Sequence, residues 1–178
     1  DRLEARCDEV LNLLPEFSDR YLRPEFTWEK DLLPKLNVFI RSAGQKEQRF
    51  RLAMDTHLTL AFAAGTVLDT KSGKIVELEQ RTRGGAAIWA ADDVPVNPTW
   101  PSWKFSEFDL ETGGAEVAVA VSITRTTEQQ VRADLLGKPS VGRLVVASLE
   151  SGASQAAVLN GAHADQLVHH LPAPVLGR

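Results

Sequence analysis

Residues 122–127, Ser-Ile-Thr-Arg-Thr-Thr, have the composition of an anion-binding turn. They end an apolar run, and Thr127 with Gln130 then has the S/T-x-x-E/Q spacing of a helix capping box. Arg125 offers a planar fork of N–H donors that fits a phosphate or a base edge, and Thr124 adds a hydroxyl donor. The alternative is a solvated arginine beside threonines that only cap the helix. We expect Thr124 and Arg125 to contact a ligand.

A second strand-to-helix turn contains Asp55, Thr56 and His57. A helix N-terminus carries about half a positive charge and exposes free N–H groups, so it attracts phosphate. Thr56 and His57 are therefore candidate ligand contacts. Asp55 would oppose an anion, so we expect it to cap the helix or to pack. The alternative is ordinary capping by Asp55 and Thr56 without a ligand.

Four tryptophans in 178 residues suggest stacking on nucleobases, since one aromatic–base stack contributes roughly 1–3 kcal/mol. Trp89 is the first candidate because it ends a short strand. Trp103 is the second candidate, together with Lys104, in a proline-rich segment. Trp28 and Trp100 complete the set. Packing in the core is the alternative for each of them.

Arg81 and Arg83 flank Thr82 beside a pair of glycines, residues 84–85. Glycine permits close approach of a backbone, and two arginines can neutralise two phosphates. We favour the simpler interpretation, a flexible charged turn. Because such a turn can be ordered by a ligand and then contact a neighbouring chain, we assign Arg81 and Arg83 to a candidate assembly loop.

Catalytic and metal-binding motifs are mostly absent from the sequence. It contains neither a G-x-S-x-G nucleophile elbow nor a G-x-x-x-x-G-K-[ST] phosphate loop. His163, His169 and His170 lie on one predicted helix without a carboxylate or cysteine to complete a metal site, so we expect them to be exposed. Asp92 and Asp93 are adjacent on an extended segment and point apart. We therefore expect no catalytic residue, metal or cofactor in this chain.

The overall composition is that of a globular protein, with 43% apolar and 25% charged residues. A net charge of −4 argues against a protein that coats DNA phosphates in general, so an anionic ligand must meet a local cluster of donors. The single cysteine, Cys7, excludes an internal disulfide and fits a reducing compartment. Without a long apolar run or a signal peptide, we expect a cytoplasmic protein that does not enter the membrane. The start at Asp1 and the single methionine, Met54, suggest a fragment of a longer protein.

The first half of the chain is predicted to be helical and then mixed. Leu3, Val10, Leu11 and Leu14 have roughly helical spacing, which predicts a first helix of about three turns. Thr27 is a candidate N-cap for a second helix over residues 28–42, with Gly44 at its end. The other predicted elements are a strand over 49–54, a helix over 57–64 ended by Gly65, and a hairpin of 75–80 with 86–90.

The second half alternates strands and helices. Residues 92–111, with prolines at 95, 98 and 101, are predicted to be irregular. Apolar strands alternating with helices indicate an α/β sheet with both faces covered, in which ligands bind beyond the carboxyl ends of the strands. The predicted elements are a strand over 116–123, a helix to Leu136, a strand over 143–149 and a helix capped by Asn160 that runs to Leu171.

Several of these segments resemble SAVED domains. RFRLAMDTHLTLAFAAG (residues 49–65) resembles their opening strand–helix unit, and GGAEVAVAVSITR (113–125) resembles a later one. VGRLVVASLESG (141–152), followed by NGAHADQLVHHL (160–171), is similar more loosely. SAVED domains are relatives of CARF domains that sense cyclic oligonucleotides in the bacterial anti-phage system CBASS and are fused to effectors.

The resemblance implies a CARF-like, Rossmann-like sheet flanked by helices. It implies a helical lead-in over residues 1–45 and one sensor unit over 46–178. The implied function is binding of a cyclic di- or trinucleotide, which would drive homo-oligomerisation and activate a fused effector, with an HNH endonuclease favoured. Two alternatives stay open: an enzyme that cleaves cyclic oligonucleotides, in which His57 would be the base, and a protein-interaction module built on Trp28 and the early helices.

Overall fold

The computed structural model describes residues 3–19, 21–68, 73–82 and 85–171, and its mixture of helices and strands confirms the α/β class. The contacts of the chain form two compact units, Asp1–Ala90 and Ala91–Arg178. The lead-in over 1–45 and the sensor unit over 46–178 stay predictions. Within the described residues, none of the helices has the length and apolar character needed to span a bilayer.

The first unit begins with short turns instead of the predicted three-turn helix, so that prediction was wrong. The Asn12 side chain accepts a hydrogen bond from the backbone N–H of Leu14 at 3.0 Å, which competes with helical bonding. Two 3-10 turns lie where the helix was predicted, and a small antiparallel hairpin follows them. The turns are Leu3–Ala5 and Leu14–Glu16, and the hairpin strands are β1 (Phe17–Ser18) and β2 (Tyr21–Leu22).

The second predicted helix is present and longer than expected. A π-helical turn over Trp28–Leu32 continues into α1 (Leu33–Lys46), so Gly44 does not end the helix. The Thr27 hydroxyl accepts a hydrogen bond from the Lys30 N–H at 3.2 Å, which confirms the predicted cap. Apolar side chains at a four-residue spacing form the core of this unit with residues of the next helix. The core residues are Leu13, Leu32, Leu36, Ile40, Leu60 and Ala64.

A three-stranded sheet completes the first unit. The strands have the order β3-β4-β5, with β3 and β4 parallel and β4 and β5 antiparallel, which confirms the predicted strand and hairpin. The helix between β3 and β4 passes Gly65, where the sequence predicted its end. The elements are β3 (Arg49–Ala53), α2 (Leu58–Val67), β4 (Ile75–Thr82) and β5 (Gly85–Trp89).

The second unit contains another three-stranded sheet, in the order β6-β8-β7. β7 and β8 are parallel and are joined through α3, whereas β6 is antiparallel to β8. Central strand β8 is the most buried, with Leu144 and Val145 at 0% exposure. The elements are β6 (Trp103–Asp109), β7 (Glu116–Ser122), α3 (Glu128–Leu135), β8 (Val141–Leu149) and α4 (Gly161–His170).

Strand β6 corrects the prediction that residues 92–111 are irregular throughout. The prolines at 95, 98 and 101 lie before the strand, and none lies within it. From Trp103 onward the backbone N–H groups are free to form a ladder, and Trp103 to Asp109 pair with Leu149 to Arg143. The described strands form the small β1–β2 hairpin and two three-stranded sheets. Each three-stranded sheet has one parallel pair and one antiparallel neighbour.

Candidate functional site

The parallel pair of the second sheet defines the most promising site. Ser148 of β8 pairs with Ser122 of β7 on one side and with Lys104 of β6 on the other. The ends of β7 and β8 and the start of β6 therefore share one edge, which we call the carboxyl edge. With adjacent strands about 4.8 Å apart, the Ser122 and Lys104 backbones are separated by about 10 Å. This distance is small enough for one nucleotide-sized ligand to contact both strands.

The turn from β7 to α3 is fixed by a buried hydroxyl. Ser122 is only 2% exposed, and its Oγ accepts a hydrogen bond from the Thr127 N–H at 3.1 Å and lies 2.9 Å from Thr127 Oγ1. Thr127 is the N-cap of α3, but its side chain makes no capping bond, so the predicted capping box with Gln130 was wrong. Its hydroxyl turns back because the buried Ser122 hydroxyl needs a partner.

The bonds between Ser122 and Thr127 fix the two ends of the β7–α3 turn, and three of the residues between them are exposed. The side chains of Thr124, Arg125 and Thr126 are exposed between Ser122 and Thr127. Glu128, in the first turn of α3, makes an ion pair with Arg132 at 2.9 Å, so its negative charge is partly compensated. Lys104 is also exposed at the carboxyl edge. Two exposed cations and exposed hydroxyls therefore lie on the segments that meet at this edge, and such side chains suit a phosphate.

Trp103 lies at the same edge but has a structural role. Its indole N–H donates a hydrogen bond to the backbone carbonyl of Leu167 in α4 at 2.7 Å. Its ring packs against the cluster of Leu149, Ala157 and Leu167. Packing thus explains the position of Trp103, and its proposed contact with a ligand stays a prediction.

The N-terminus of α4 already holds a carboxylate of the protein. Asp93 accepts hydrogen bonds from the Gly161 N–H at 2.9 Å and the Ala162 N–H at 3.0 Å. Asn160 Oδ1 accepts a bond from the His163 N–H at 2.8 Å, which confirms the predicted cap. The role of Asp93 was missed because its partners are 68 and 69 residues away in the sequence, where local patterns give no signal.

His163 is fully buried, so the prediction of an exposed histidine was wrong for this residue. Its Nδ1 accepts a hydrogen bond from the Leu159 N–H at 3.2 Å, so the ring proton is on Nε2, which donates to the Pro101 carbonyl at 2.9 Å. The Trp100 ring lies beside it, with centroids 5.3 Å apart. His169 and His170 of the same helix are exposed, as predicted.

In the first unit, the turn between β3 and α2 differs in detail from the prediction. His57 is the N-cap of α2, its side chain makes no capping bond, and the first turn contains no acidic residue. Thr56 and His57 are exposed, and His57 Nδ1 lies 3.4 Å from Thr59 Oγ1. The N-cap is therefore one residue beyond the predicted pair, Asp55 and Thr56. The first turn itself contains no acidic residue, which favours an anion, whereas the exposed Asp55 just before the N-cap opposes one.

The remaining candidates also lie in the first unit. Trp89 ends β5, is partly buried, and lies opposite Leu78, which itself pairs with Leu52 of β3. Trp89 is therefore level with the next-to-last residue of β3, close to where the turn with Thr56 and His57 begins. Arg81 lies on β4 opposite Ala86, and Arg83 falls outside the described residues. The candidate contacts thus form two groups, one in each unit.

Comparison with known proteins gives one consistent result. Residues 32–171 match the family model of the SMODS-associated and fused to various effectors sensor domain, abbreviated SAVED. The chain is 33% identical over 165 residues to CD-NTase-associated protein 4 of Enterobacter hormaechei subsp. hoffmannii (strain UCI 50). This alignment covers 92% of the chain but only 32% of that relative. The chain thus spans about a third of the length of the curated relative it matches.

Proposed function

Because the chain belongs to the SAVED family of sensor domains, we propose that it binds a cyclic oligonucleotide and acts as the sensor of a bacterial anti-phage system. The family match over residues 32–171 carries this proposal. The similarity to CD-NTase-associated protein 4 supports it. The same reasoning gives this domain a binding role and no catalytic role.

The carboxyl edge of the second sheet supplies suitable chemistry. Arg125 and Lys104 are exposed cations at one edge, with the Thr124 hydroxyl beside them. A ligand with two or three phosphodiesters requires such a local concentration of donors because the whole chain carries a net charge of −4. Binding in this proposal uses protein donors alone, without a metal ion.

The first unit carries a separate group of candidate contacts. Thr56, His57 and the exposed start of α2 can receive a phosphate, and the ring of Trp89 can stack on a base. A CARF-like, Rossmann-like relationship is part of this proposal. The β3-α2-β4 and β7-α3-β8 units support it, because each joins two parallel strands through a helix.

Signal output is the second part of the proposal. A ligand shifts an assembly equilibrium only by binding the assembled state more tightly than the free one. A cyclic nucleotide held between two copies of the chain meets this condition and would favour a head-to-tail oligomer. We propose that such an oligomer gathers effector domains of the longer protein, an HNH endonuclease being our first choice.

A thermal-shift screen against cyclic di- and trinucleotides tests the binding proposal, with the matching linear oligonucleotides as controls. A ligand at 100 times its dissociation constant stabilises the native state by about 2.7 kcal/mol. We expect at least one cyclic member to raise the melting temperature more than its linear counterpart. Equal melting temperatures with every member of the panel would contradict the proposal.

A cleaving enzyme is the second candidate, and the exposure of His57 is the observation that favours it. Incubation with each cyclic ligand followed by chromatography separates the two functions, since a sensor returns the ligand intact and an enzyme yields linear products. The third candidate, an interaction module built on Trp28, loses support. The ring of Trp28 packs against the core of the first unit and lies edge-on to Phe17 at 6.1 Å.

A further inference from the structure

The segment over residues 91–102, which we call the strap, is tied to the rest of the second unit by independent bonds. Asp93 accepts bonds from two amides of the first turn of α4, and the Pro101 carbonyl accepts one from His163. Ser102 is held at the end of β8, where its carbonyl accepts a bond from the Glu150 N–H at 3.0 Å. Two of these ties converge on the first three residues of α4.

His163 holds the strap only in its neutral form. Its Nδ1 accepts from the Leu159 N–H and its Nε2–H donates to Pro101, so both ring nitrogens are used. A second proton would have to sit on Nδ1 and would face the Leu159 N–H, donor against donor. The ring is also fully buried in the first turn of α4, away from the water that would solvate a charge.

We propose that the strap is a proton-operated latch: when His163 gains a proton, its ring leaves the buried site, and the strap separates from the start of α4. Once the charged ring is outside, water solvates it, which removes the cost of the buried charge. Trp100 leaves with the ring that it contacts. The inference rests on contacts within the second unit and does not depend on the identity of a ligand.

Three carboxylates on the surrounding elements have partners other than the His163 ring. Asp93 of the strap is bonded to Gly161 and Ala162, and Glu150 after β8 accepts a bond from the Ser102 N–H at 3.3 Å. On α4 itself, Asp165 lies 3.4 Å from His169. Two exposed groups complete the set, Lys104 at the start of β6 and His170 at the end of α4.

Residue-resolved NMR on the whole chain tests the latch. The ring ¹⁵N shifts of His163 report its protonation, and hydrogen exchange of Gly161 and Ala162, corrected for the intrinsic effect of pH, reports the strap. As pH falls, we expect protection of both amides to drop about tenfold or more, equivalent to about 1.4 kcal/mol. The midpoint of this drop should coincide with the midpoint of the change in the His163 ¹⁵N shifts. The buried amides of Leu144 and Val145 in β8 should stay protected.

Two results would overturn the latch. In one, His163 takes up a proton while Gly161 and Ala162 stay protected. In the other, the ring stays neutral until the β8 amides also exchange, which means that the whole unit unfolds. His169→Gln, on the exposed face of the same helix, is the control and should leave the midpoint unchanged.

A second variant tests the other tie without titrating His163. Asp93→Asn keeps the shape of the side chain but removes its charge, so protection of Gly161 and Ala162 should fall about tenfold at neutral pH. Asp134→Asn removes the same charge from an exposed position on α3 and should have no effect. Unchanged protection in Asp93→Asn would remove Asp93 from the latch.

Discussion

The backbone of Gly142 on β8 lies directly against that of Gly114, with no room between them for a side chain. A Cβ atom at Gly142 would overlap the carbonyl oxygen of Gly114, and one at Gly114 would overlap that of Ser140. Because backbone atoms obstruct the space, no side-chain rotation can relieve the overlap. This contact sets the approach of the segment before β7 to the first residues of β8.

Gly142→Ala should therefore destabilise the chain by about 3 kcal/mol, at the upper end of typical overpacking costs. Urea unfolding monitored by circular dichroism measures the effect. Gly65→Ala is the matched control, because a Cβ there meets no atom within 4 Å and alanine favours the helix over glycine by about 1 kcal/mol. Equal stability of Gly142→Ala and the parent would disprove the steric argument.

Glu16 should make stability depend on pH in the acid range. Glu16 is only 6% exposed, and its carboxylate accepts a hydrogen bond from Lys35 at 2.6 Å. This bond lowers the pKa of Glu16 below its ordinary value of 4.5 despite the opposing effect of burial. Because the pKa of Glu16 is lower in the folded state, the ion pair with Lys35 stabilises the fold fully at a pH above the unfolded-state pKa. This contribution is lost as pH falls through the folded-state pKa.

Glu16→Gln should consequently flatten the pH dependence of the free energy of unfolding below about pH 4.5, the ordinary value. The comparison is made by urea unfolding at several pH values. Glu4→Gln, which removes a charge from an exposed position, is the control and should keep the slope of the parent. A slope in Glu16→Gln equal to that of the parent would show that other groups carry the effect.

Arg125→Ala should weaken binding of a cyclic oligonucleotide by about 1.5–3 kcal/mol, the scale of a hydrogen bond to a charged group. The fold should survive because the side chain is exposed. Lys138→Ala removes the same charge near the start of β8, the opposite end of the sheet, and should bind like the parent. Calorimetry on both variants decides the question, and equal affinities would exclude Arg125 from the site.

Trp89 and Trp103 should respond differently to substitution. Trp89→Ala should cost about 1–3 kcal/mol of binding through lost stacking, with part retained in Trp89→Phe. Trp103→Phe should instead lower stability by about 1 kcal/mol, because it removes the N–H donor to Leu167. Ligand quenching of tryptophan fluorescence assigns the stack. Quenching that persists in Trp89→Ala but disappears in Trp103→Phe would transfer the role to Trp103.

Assembly should depend on the loop with Arg81 and Arg83. A bound cyclic nucleotide adds negative charge to a chain of net charge −4, so it must bridge donors from two copies or order a contacting loop. We expect ligand to raise the sedimentation coefficient, and Arg81→Glu with Arg83→Glu to block this increase more than binding. Charge reversal at Arg41 and Lys138 is the control. A ligand-bound monomer at tens of micromolar would disprove the assembly mechanism.

Local patterns in the sequence predicted the elements that depend on local forces. The apolar run that became β7, the hairpin of β4 and β5, and the caps formed by Thr27 and Asn160 all follow from spacing or from one side-chain bond to a nearby amide. The βα turn with Arg125 was predictable for the same reason. Its exposed position at a strand end follows from the order of the elements.

The errors occurred where distant contacts decide the structure. Thr127 was expected to cap α3, yet it bonds to Ser122, whose burial depends on the packing of the whole sheet. His163 was expected on a solvated face, because helical spacing alone does not show which face meets the strap. Strand β6 needed its partner β8 to be recognised, since β strands are stabilised mainly by such neighbours.

The bonds between the strap and α4 also constrain how the second unit folds. The Asp93–Gly161 and Pro101–His163 contacts close loops of 68 and 62 residues. Loop closure on this scale loses chain entropy before the contacts form, so we expect these bonds to form late in folding. During synthesis, residues 91–102 leave the ribosome long before their partners on α4. The strap therefore cannot reach its native position until α4 has been synthesised.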